Sequence, residues 1–444
     1  MMRLSLSEIA ALTGGQLVGR DVEIQGMSHD SRACQSGNLF VALPGENSDG
    51  HRFIPAAQKS GAKAALVSEA VETDFPHVRV ANVLRAMGEI GSAWRSRLDI
   101  TVIGVTGSNG KTTVKEMLAA ILSTVAPTLV TGGNYNNEIG LPLTLARLDR
   151  RHRFAVLEMG ASRPGDIRYL ADLARPDAGV VTNAAPAHLE GFGSLEGVAR
   201  TKGELYASLP ENGLAAINAD DRFAPLWRDM SAHCRCLGFG LGETADVRAR
   251  LVNGSARIET PWGHSRLQLK LPGRHNVINA LAALTLAGQL EVPLDEAVRA
   301  LAGLNSLPGR LQVHELDSGW RLVDDSYNAN PGSLQAGLEV LAGLDGEAWL
   351  VLGDMAELGP DSEKLHADMG HAASEMGVRR LFAVGTISRA AAEAFGEGAA
   401  HFDNHQALQE ALGQALHPGV NCLIKGSRSM AMERIVQALI GEKV

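Results

Sequence analysis

Ile100-Thr-Val-Ile-Gly-Val-Thr-Gly-Ser-Asn-Gly110-Lys111-Thr112-Thr113 is the stretch on which the reading of this chain turns. An apolar run, Ile100 to Val105, leads into a glycine-rich turn and then a helical pattern, Val114 to Leu122. Glycines let the backbone turn sharply, so N–H groups of Gly107, Ser108, Asn109 and Gly110 face one point. The helix N-terminus adds partial positive charge there. The combination predicts a phosphate-binding loop in which Lys111 reaches the β- and γ-phosphates and the Thr112 hydroxyl ligates magnesium. The general motif places glycine five positions before Gly110, where this chain has Val105. Gly104 and Gly107 supply the flexibility instead. The plainer alternative is a strand-to-helix turn with no ligand, and a phosphate loop alone does not separate kinase, switch, motor and ligase.

Outward from the loop, apolar runs alternate with helical stretches: Phe154–Glu158, Ala178–Thr182 and Leu214–Ile217, closing with a helical run, Asn276–Gln289. Near-continuous apolar strands between helices predict a parallel sheet covered on both faces. Ser306-Leu-Pro-Gly-Arg310 interrupts the pattern and reads as a linker. Beyond it the alternation resumes at Ala348–Leu352, Leu381–Val384 and Cys422–Ile424, a second doubly wound unit. Upstream, Ser5-x-x-Glu8 before Ile9 and Leu12, then Gly14-Gly15, reads as a short capped helix. Strand-like runs follow at Val22–Ile24, Asn38–Ala42 and Ala64–Val67. The expected architecture is α/β in three domains: a small mixed domain over 1–98, a central doubly wound phosphate-loop domain over 99–307, and a Rossmann-like domain over 308–444.

Length agrees, since 444 residues at roughly 150 per domain allow about three. With 45% hydrophobic and 20% charged residues the chain is globular rather than disordered or fibrous. A formal charge of −9 removes the simple argument for nucleic-acid or membrane-surface binding. Four cysteines are too few for a disulfide framework, and His233-Cys234-Arg-Cys236 lacks the second thiol pair of a structural zinc site. The cluster Arg147, Arg150, Arg151 and Arg153 reads as a solvated loop. No signal peptide or membrane span is expected, so a cytoplasmic protein is. With no coiled coil, a monomer is the default.

Thr106-Gly-Ser-Asn-Gly-Lys-Thr-Thr113 resembles the phosphate loop of the Mur ligases and folylpolyglutamate synthetases, ATP-dependent enzymes that join an amine to a carboxylate. The resemblance runs through essentially the whole chain and accounts for Val105. Further stretches carry it: Ser28-His-Asp-Ser-Arg32, Asn134-Tyr-Asn-Asn-Glu-Ile-Gly140, His188-Leu-Glu-Gly-Phe-Gly193, Asp324-Asp-Ser-Tyr-Asn-Ala-Asn-Pro331 and Lys425-Gly-Ser-Arg428. The Tyr-Asn form after Asp325 is the most specific. It implies the member of the family that adds D-alanyl-D-alanine to a UDP-N-acetylmuramoyl tripeptide.

The resemblance implies chemistry through an acyl phosphate and a tetrahedral intermediate, so magnesium and cations must be held where charge gathers. It implies that Glu158, at a strand end, shares magnesium with Thr112, and that His188 helps hold a second ion. It implies a carbamylated Lys202, an anionic oxygen ligand formed when a neutral amine captures carbon dioxide. Asn276 and Asn279 would face adenine, and Arg310 and Asp325 the ATP phosphates and ribose. These last two would reach the nucleotide only if the third domain swings over the central one about Ser306–Arg310. Asn136 and Asn137 would face substrate, and Ser31 and Arg32 the UDP moiety. Tyr327, Asn328, Asn330, Lys425, Ser427 and Arg428 are candidates for the peptide or dipeptide side. Without the resemblance, each residue has an ordinary alternative: a surface Glu158, a structural His188, an exposed Lys202, asparagines capping a buried helix. Rival functions are the ligase adding the third peptide residue, a nucleotide switch and a non-catalytic UDP-sugar binder.

Overall fold

The computed structural model describes residues 1–45, 48–186, 189–252 and 254–441. At the N-terminal end the Ser5-x-x-Glu8 signature forms the cap it predicts. The Glu8 N–H donates to Ser5 Oγ at 3.1 Å and the Ser5 N–H donates to Glu8 Oε2 at 2.8 Å. Helix Leu6–Thr13 then ends at Gly14 in the left-handed region. A five-stranded sheet runs in the order Gln16–Val18, His77–Arg79, Ala64–Val67, Leu39–Val41, Met27–Ser28. Strand Glu23–Gln25 pairs separately with Arg3–Ser5. Helix Val83–Arg95 packs against Leu6–Thr13 on one side and against Gly140–Leu145 and Asp166–Ala174 on the other. The core of this first layer therefore includes Leu143 and Ala146 from beyond the phosphate loop.

A nine-stranded sheet takes its strands from 101 to 267. Thr101–Thr106 sits between Phe154–Glu158 and Ala178–Val181, parallel to both. Phe154–Glu158 and Ala178–Val181 are buried along their whole length, as their apolar runs require. Successive residues point to opposite faces. Ile103 and Val105 pack with helices Lys111–Leu122 and Arg274–Gln289. Val102 packs on the other face with Asp166–Ala174. Two features differ from the sequence expectation. Strands Val247–Val252, Ser255–Thr260 and Gly263–Leu267 extend the sheet, the last two pairing antiparallel. Their alternating, half-exposed composition hid them among the apolar runs. The block also does not end at Gln289, because helix Leu294–Gly303 follows and packs on Lys111–Leu122.

A six-stranded sheet takes its strands from 312 to 425, in the order Gln312–Glu315, Arg321–Asp325, Val420–Lys425, Glu347–Gly353, Arg380–Val384, Ala399–Phe402. Only the first pairing is antiparallel. Helices Pro331–Ala342 and Ser362–Glu375 cover one face; His405–Ala415 and Glu433–Ile440 cover the other. Parallel strands gather their following loops at one end. Here the loops that follow Thr106, Glu158 and Asp325 line one cleft. Among the described residues no helix is long and apolar enough to cross a membrane.

Leu281 is fully buried on Arg274–Gln289, within the core behind the phosphate loop. Leu281→Ala is expected to cost about 2–5 kcal/mol, measured as a lowered urea midpoint by far-UV circular dichroism.

Candidate functional site

The phosphate loop is held from outside as much as from within. Asn109 N–H donates to Asn183 Oδ1 at 3.0 Å, and its carbonyl accepts from Thr182 Oγ1 at 2.5 Å and Asn183 Nδ2 at 3.1 Å. Ser108 Oγ donates to the Ala185 carbonyl at 3.0 Å. Gly107 has φ +147°, and a Cβ there would run into Thr182 Oγ1. Gly110 has φ +81°, and a Cβ there would lie 2.5 Å from Asn279 Oδ1. Both glycines are thus required by close approach, whereas Val105 is a core strand residue opposite Glu158. That is why the chain tolerates a side chain where the general motif has glycine.

Beyond the loop lies a cavity of about 920 Å³, lined from all three parts of the chain. Asn82 and Arg85 come from the start of helix Val83–Arg95. The centre supplies Ser108 to Thr112, Asn136 to Glu138, Glu158 and Lys202, and the C-terminal part Arg310, Tyr327, Asn328, Asn330 and Ser333. Buried Glu158 accepts from Thr112 Oγ1 at 3.0 Å and from Asn136 Nδ2 at 2.7 Å. Lys111 Nζ folds back onto the Gly107 carbonyl at 2.8 Å. Burial lowers the Lys111 amine below the ordinary lysine range, with Glu158 opposing and Arg310 adding to the shift. Lys202, buried on helix Leu195–Ala207, is pushed well below that range by burial and then by Lys111. Its Nζ lies 5.6 Å from the Phe192 ring centroid. Lys111, Lys202 and Arg310 thus face one space, and burial lowers both amines.

The C-terminal part already stands over the loop. Asn330 Nδ2 donates to Asn109 Oδ1 at 2.7 Å, and Asn109 Nδ2 donates back to Asn330 Oδ1 at 3.3 Å. Arg310 lies on the cavity wall with its guanidinium 4.1 Å from the Tyr327 ring centroid.

Other predicted residues sit elsewhere. Gly107 and Thr113 are not on the cavity wall, nor is Asp325, which is buried in an ion pair with Lys425. Lys425 Nζ also donates to the Asn328 carbonyl at 3.0 Å. Burial raises the Asp325 carboxyl above the ordinary range, against the pull of Lys425. Asn276 and Asn279 bond to each other at 3.2 Å, and Asn276 Nδ2 donates to the Pro272 carbonyl. Ser427 Oγ accepts from the Ala356 N–H at 2.7 Å and is buried. Asn137, by contrast, does line the cavity, and its Oδ1 accepts the Gly140 N–H at 2.9 Å. Ser31 and Arg32 are also off the cavity. The Arg32 fork is taken up by Asp30, whose carboxyl it holds down at about 2. His29 stacks edge-on with Tyr135 at 6.5 Å, so this segment abuts the Asn134–Gly140 loop. His188 lies outside the described residues.

Sequence reasoning missed Asn183, which braces the loop, and Asn82, Arg85, Arg163, Tyr169 and Ser333 on the cavity wall. Arg163 could have been found from its place after the strand ending at Glu158. Arg85 carried no such signal.

Three family models match the chain: Mur ligase family, catalytic domain, over 23–122; Mur ligase middle domain over 105–287; and Mur ligase, glutamate ligase domain, over 309–428. The UDP-N-acetylmuramoyl-tripeptide–D-alanyl-D-alanine ligase of Escherichia coli strain K12 is 42% identical over 99% of both chains. A crystal structure of MurF from Acinetobacter baumannii superposes with TM-score 0.92, 33% identity and full coverage of both chains. MurF ligase from Thermotoga maritima in complex with ADP superposes with TM-score 0.85 and 30% identity, over 94% of this chain and 97% of that one.

Gly107→Ala is expected to abolish nucleotide binding by displacing the loop from Thr182, with the far-UV circular dichroism of the fold retained. Titration calorimetry with ATP measures the loss.

Proposed function

The chain belongs to the Mur ligase family, and on that footing we propose that it is an ATP-dependent amide ligase of peptidoglycan precursor synthesis. It joins D-alanyl-D-alanine to a UDP-N-acetylmuramoyl tripeptide and yields the pentapeptide nucleotide, ADP and phosphate. The observation that carries the reading is the gathering of Lys111, Lys202 and Arg310 on one cavity beside the phosphate loop. An amide ligase needs such a place, because its acyl phosphate and tetrahedral intermediate both concentrate negative charge.

In this reading the tripeptide carboxylate attacks the γ-phosphorus of ATP, the bond to the ADP oxygen breaks, and an acyl phosphate forms. The dipeptide amine attacks the acyl carbon, gives up a proton, and phosphate leaves. Backbone N–H groups of the loop, Lys111 and Arg310 hold the phosphates. Thr112 and Glu158 fit magnesium, which commonly takes one or two carboxylates and completes its shell with water and substrate phosphates. Bound there it would supply charge neutralisation between the phosphates. Lys202 is the carbamate candidate, and its depressed amine supports this, since only a neutral amine captures carbon dioxide. His188 remains the family's candidate for a second ion. Adenine falls to Asn276 and Asn279, the ribose to Asp325, the UDP moiety to Ser31 and Arg32. Asn136, Asn137, Asn328 and Asn330 face the substrate peptides. The functional units are 1–98, 99–307 and 308–444, acting as a monomer in the cytoplasm, where ATP and nucleotide-linked precursors are available.

Phosphate release from ATP is expected only when tripeptide nucleotide and D-alanyl-D-alanine are both present, with one new amide per phosphate by mass spectrometry. Release that follows a single amino acid would point to the ligase adding the third residue. Release independent of both would favour a nucleotide switch. Lys202→Ala is expected to lower turnover on the order of a hundredfold, while calorimetry finds UDP-substrate affinity unchanged. Full activity in that variant would remove the carbamate from the scheme.

A further inference from the structure

We infer that Tyr327 is a positioning residue for Arg310: its ring, rather than its hydroxyl, holds the guanidinium on the cavity wall beside the phosphate loop. The inference rests on the functional reading above, because its readout is the terminal phosphate of ATP.

Arg310 stands in neither helix nor strand. It lies between two residues in the left-handed region, Gly309 at φ +70° and Leu311 at φ +52°. A non-glycine residue such as Leu311 rarely holds that conformation without surroundings that enforce it. Those surroundings are the end of strand Arg321–Asp325 and the residues just after it. Asp324 Oδ2 accepts the Gly309 N–H at 3.0 Å, and Asp324 Oδ1 accepts the Ser326 N–H at 3.0 Å. The Tyr327 N–H then donates to the Gly309 carbonyl at 3.2 Å. A Cβ at Gly309 would come within 3.1 Å of Tyr327 Cβ. The backbone just before Arg310 is therefore sewn to the backbone of Tyr327.

The side chain follows the same partner. The Arg310 guanidinium carbon is 4.1 Å from the Tyr327 ring centroid. Among the described residues, no carboxylate lies within ion-pair distance of Arg310, although Asp325 feels its charge, and no hydrogen bond engages the Tyr327 hydroxyl. Arg428 approaches the same ring at 5.7 Å, but its charge is met by Glu433 at 3.0 Å. The distinction matters for an anionic ligand. A carboxylate partner would occupy the N–H fork and cancel the charge. A π-face attracts the cation and leaves the in-plane N–H donors free for phosphate. Arg310 lines the same cavity as Ser108 to Thr112, which places its charge near the phosphate loop.

The test compares ATP and ADP affinities by calorimetry on the full chain, since a contact to the terminal phosphate affects only ATP. Tyr327→Leu is expected to weaken ATP about ten- to thirtyfold and leave ADP within about twofold. Tyr327→Phe is expected to restore most of the loss. Arg310→Ala combined with Tyr327→Leu should be no worse than Arg310→Ala alone. Pentafluorophenylalanine at position 327 keeps the ring's shape and removes its negative face, and should lose as much as leucine. It serves as well if the leucine variant does not fold. An undiminished ATP preference in the leucine or fluorinated variant would overturn the inference, as would a phenylalanine variant no better than leucine or additive losses in the double variant. A wild-type chain with no preference for ATP over ADP would overturn the placement of Arg310 at the terminal phosphate, whereas phosphate release independent of both substrates would overturn the functional reading itself.

Discussion

Asn109 is the residue through which the site is held together. Its backbone is bonded in both directions to Thr182 and Asn183 on the neighbouring strand end, and its side-chain amide exchanges hydrogen bonds with Asn330 across the cleft. A phosphate loop works by presenting N–H groups already aimed at the ligand, so that no reorganisation is needed when charge arrives. Gly107 and Gly110 make that backbone path sterically possible; Thr182 and Asn183 make it the one adopted. Asn330 in turn caps helix Pro331–Ala342 through Ser333. The shape of the loop and the seating of the C-terminal sheet are thereby one problem, solved by one amide pair.

The second constraint is electrostatic. Bringing Lys111, Lys202 and Arg310 to one cavity is unfavourable without an anion, and burial sharpens the penalty because the charged forms lose solvent. The fold relieves it unequally. Glu158 opposes the shift of Lys111 while Arg310 adds to it, whereas burial and Lys111 both depress Lys202. Arg310 cannot shed its proton and is stacked on a ring. Three basic residues in one place thus become three chemically different groups: an amine whose depression by burial a carboxylate opposes, an amine that burial and a neighbouring lysine both depress, and a permanent cation.

Much of this was legible in the sequence, for reasons that can be named. Buried parallel strands read as unbroken apolar runs, so Phe154–Glu158 and Ala178–Val181 could be placed to within a residue. The phosphate loop carries its own steric requirements, so its glycines and lysine stand out. Strands Val247–Val252 to Gly263–Leu267 were not legible, because half-exposed antiparallel strands alternate arginine, glutamate and histidine with a few apolar residues. The bracing of Asn109 by Asn183 was invisible too, since it joins residues far apart in the chain through an amide that marks nothing locally. Arg85 reaches the cavity only because helix Val83–Arg95 packs across two layers.

The segment Asp324 to Pro331 illustrates how the polar residues of one motif also position one another. A run of polar residues in a ligand-binding region invites the expectation that each touches substrate. In this arrangement several of them also hold parts of the protein. Asp324 ties the linker before Arg310 to the strand end. Asp325 is paired with Lys425, which also fixes the Asn328 carbonyl. Tyr327 carries Arg310, and Asn330 carries Asn109. A buried ion pair such as Asp325–Lys425 contributes little net stability over an apolar pair, yet breaking it leaves a charge stranded, so it fixes a geometry more than it adds stability. The segment's chemistry is that of a mount: it sets one cation and one amide against the phosphate loop, and so supplies the C-terminal half of a site whose other half lies in the central sheet.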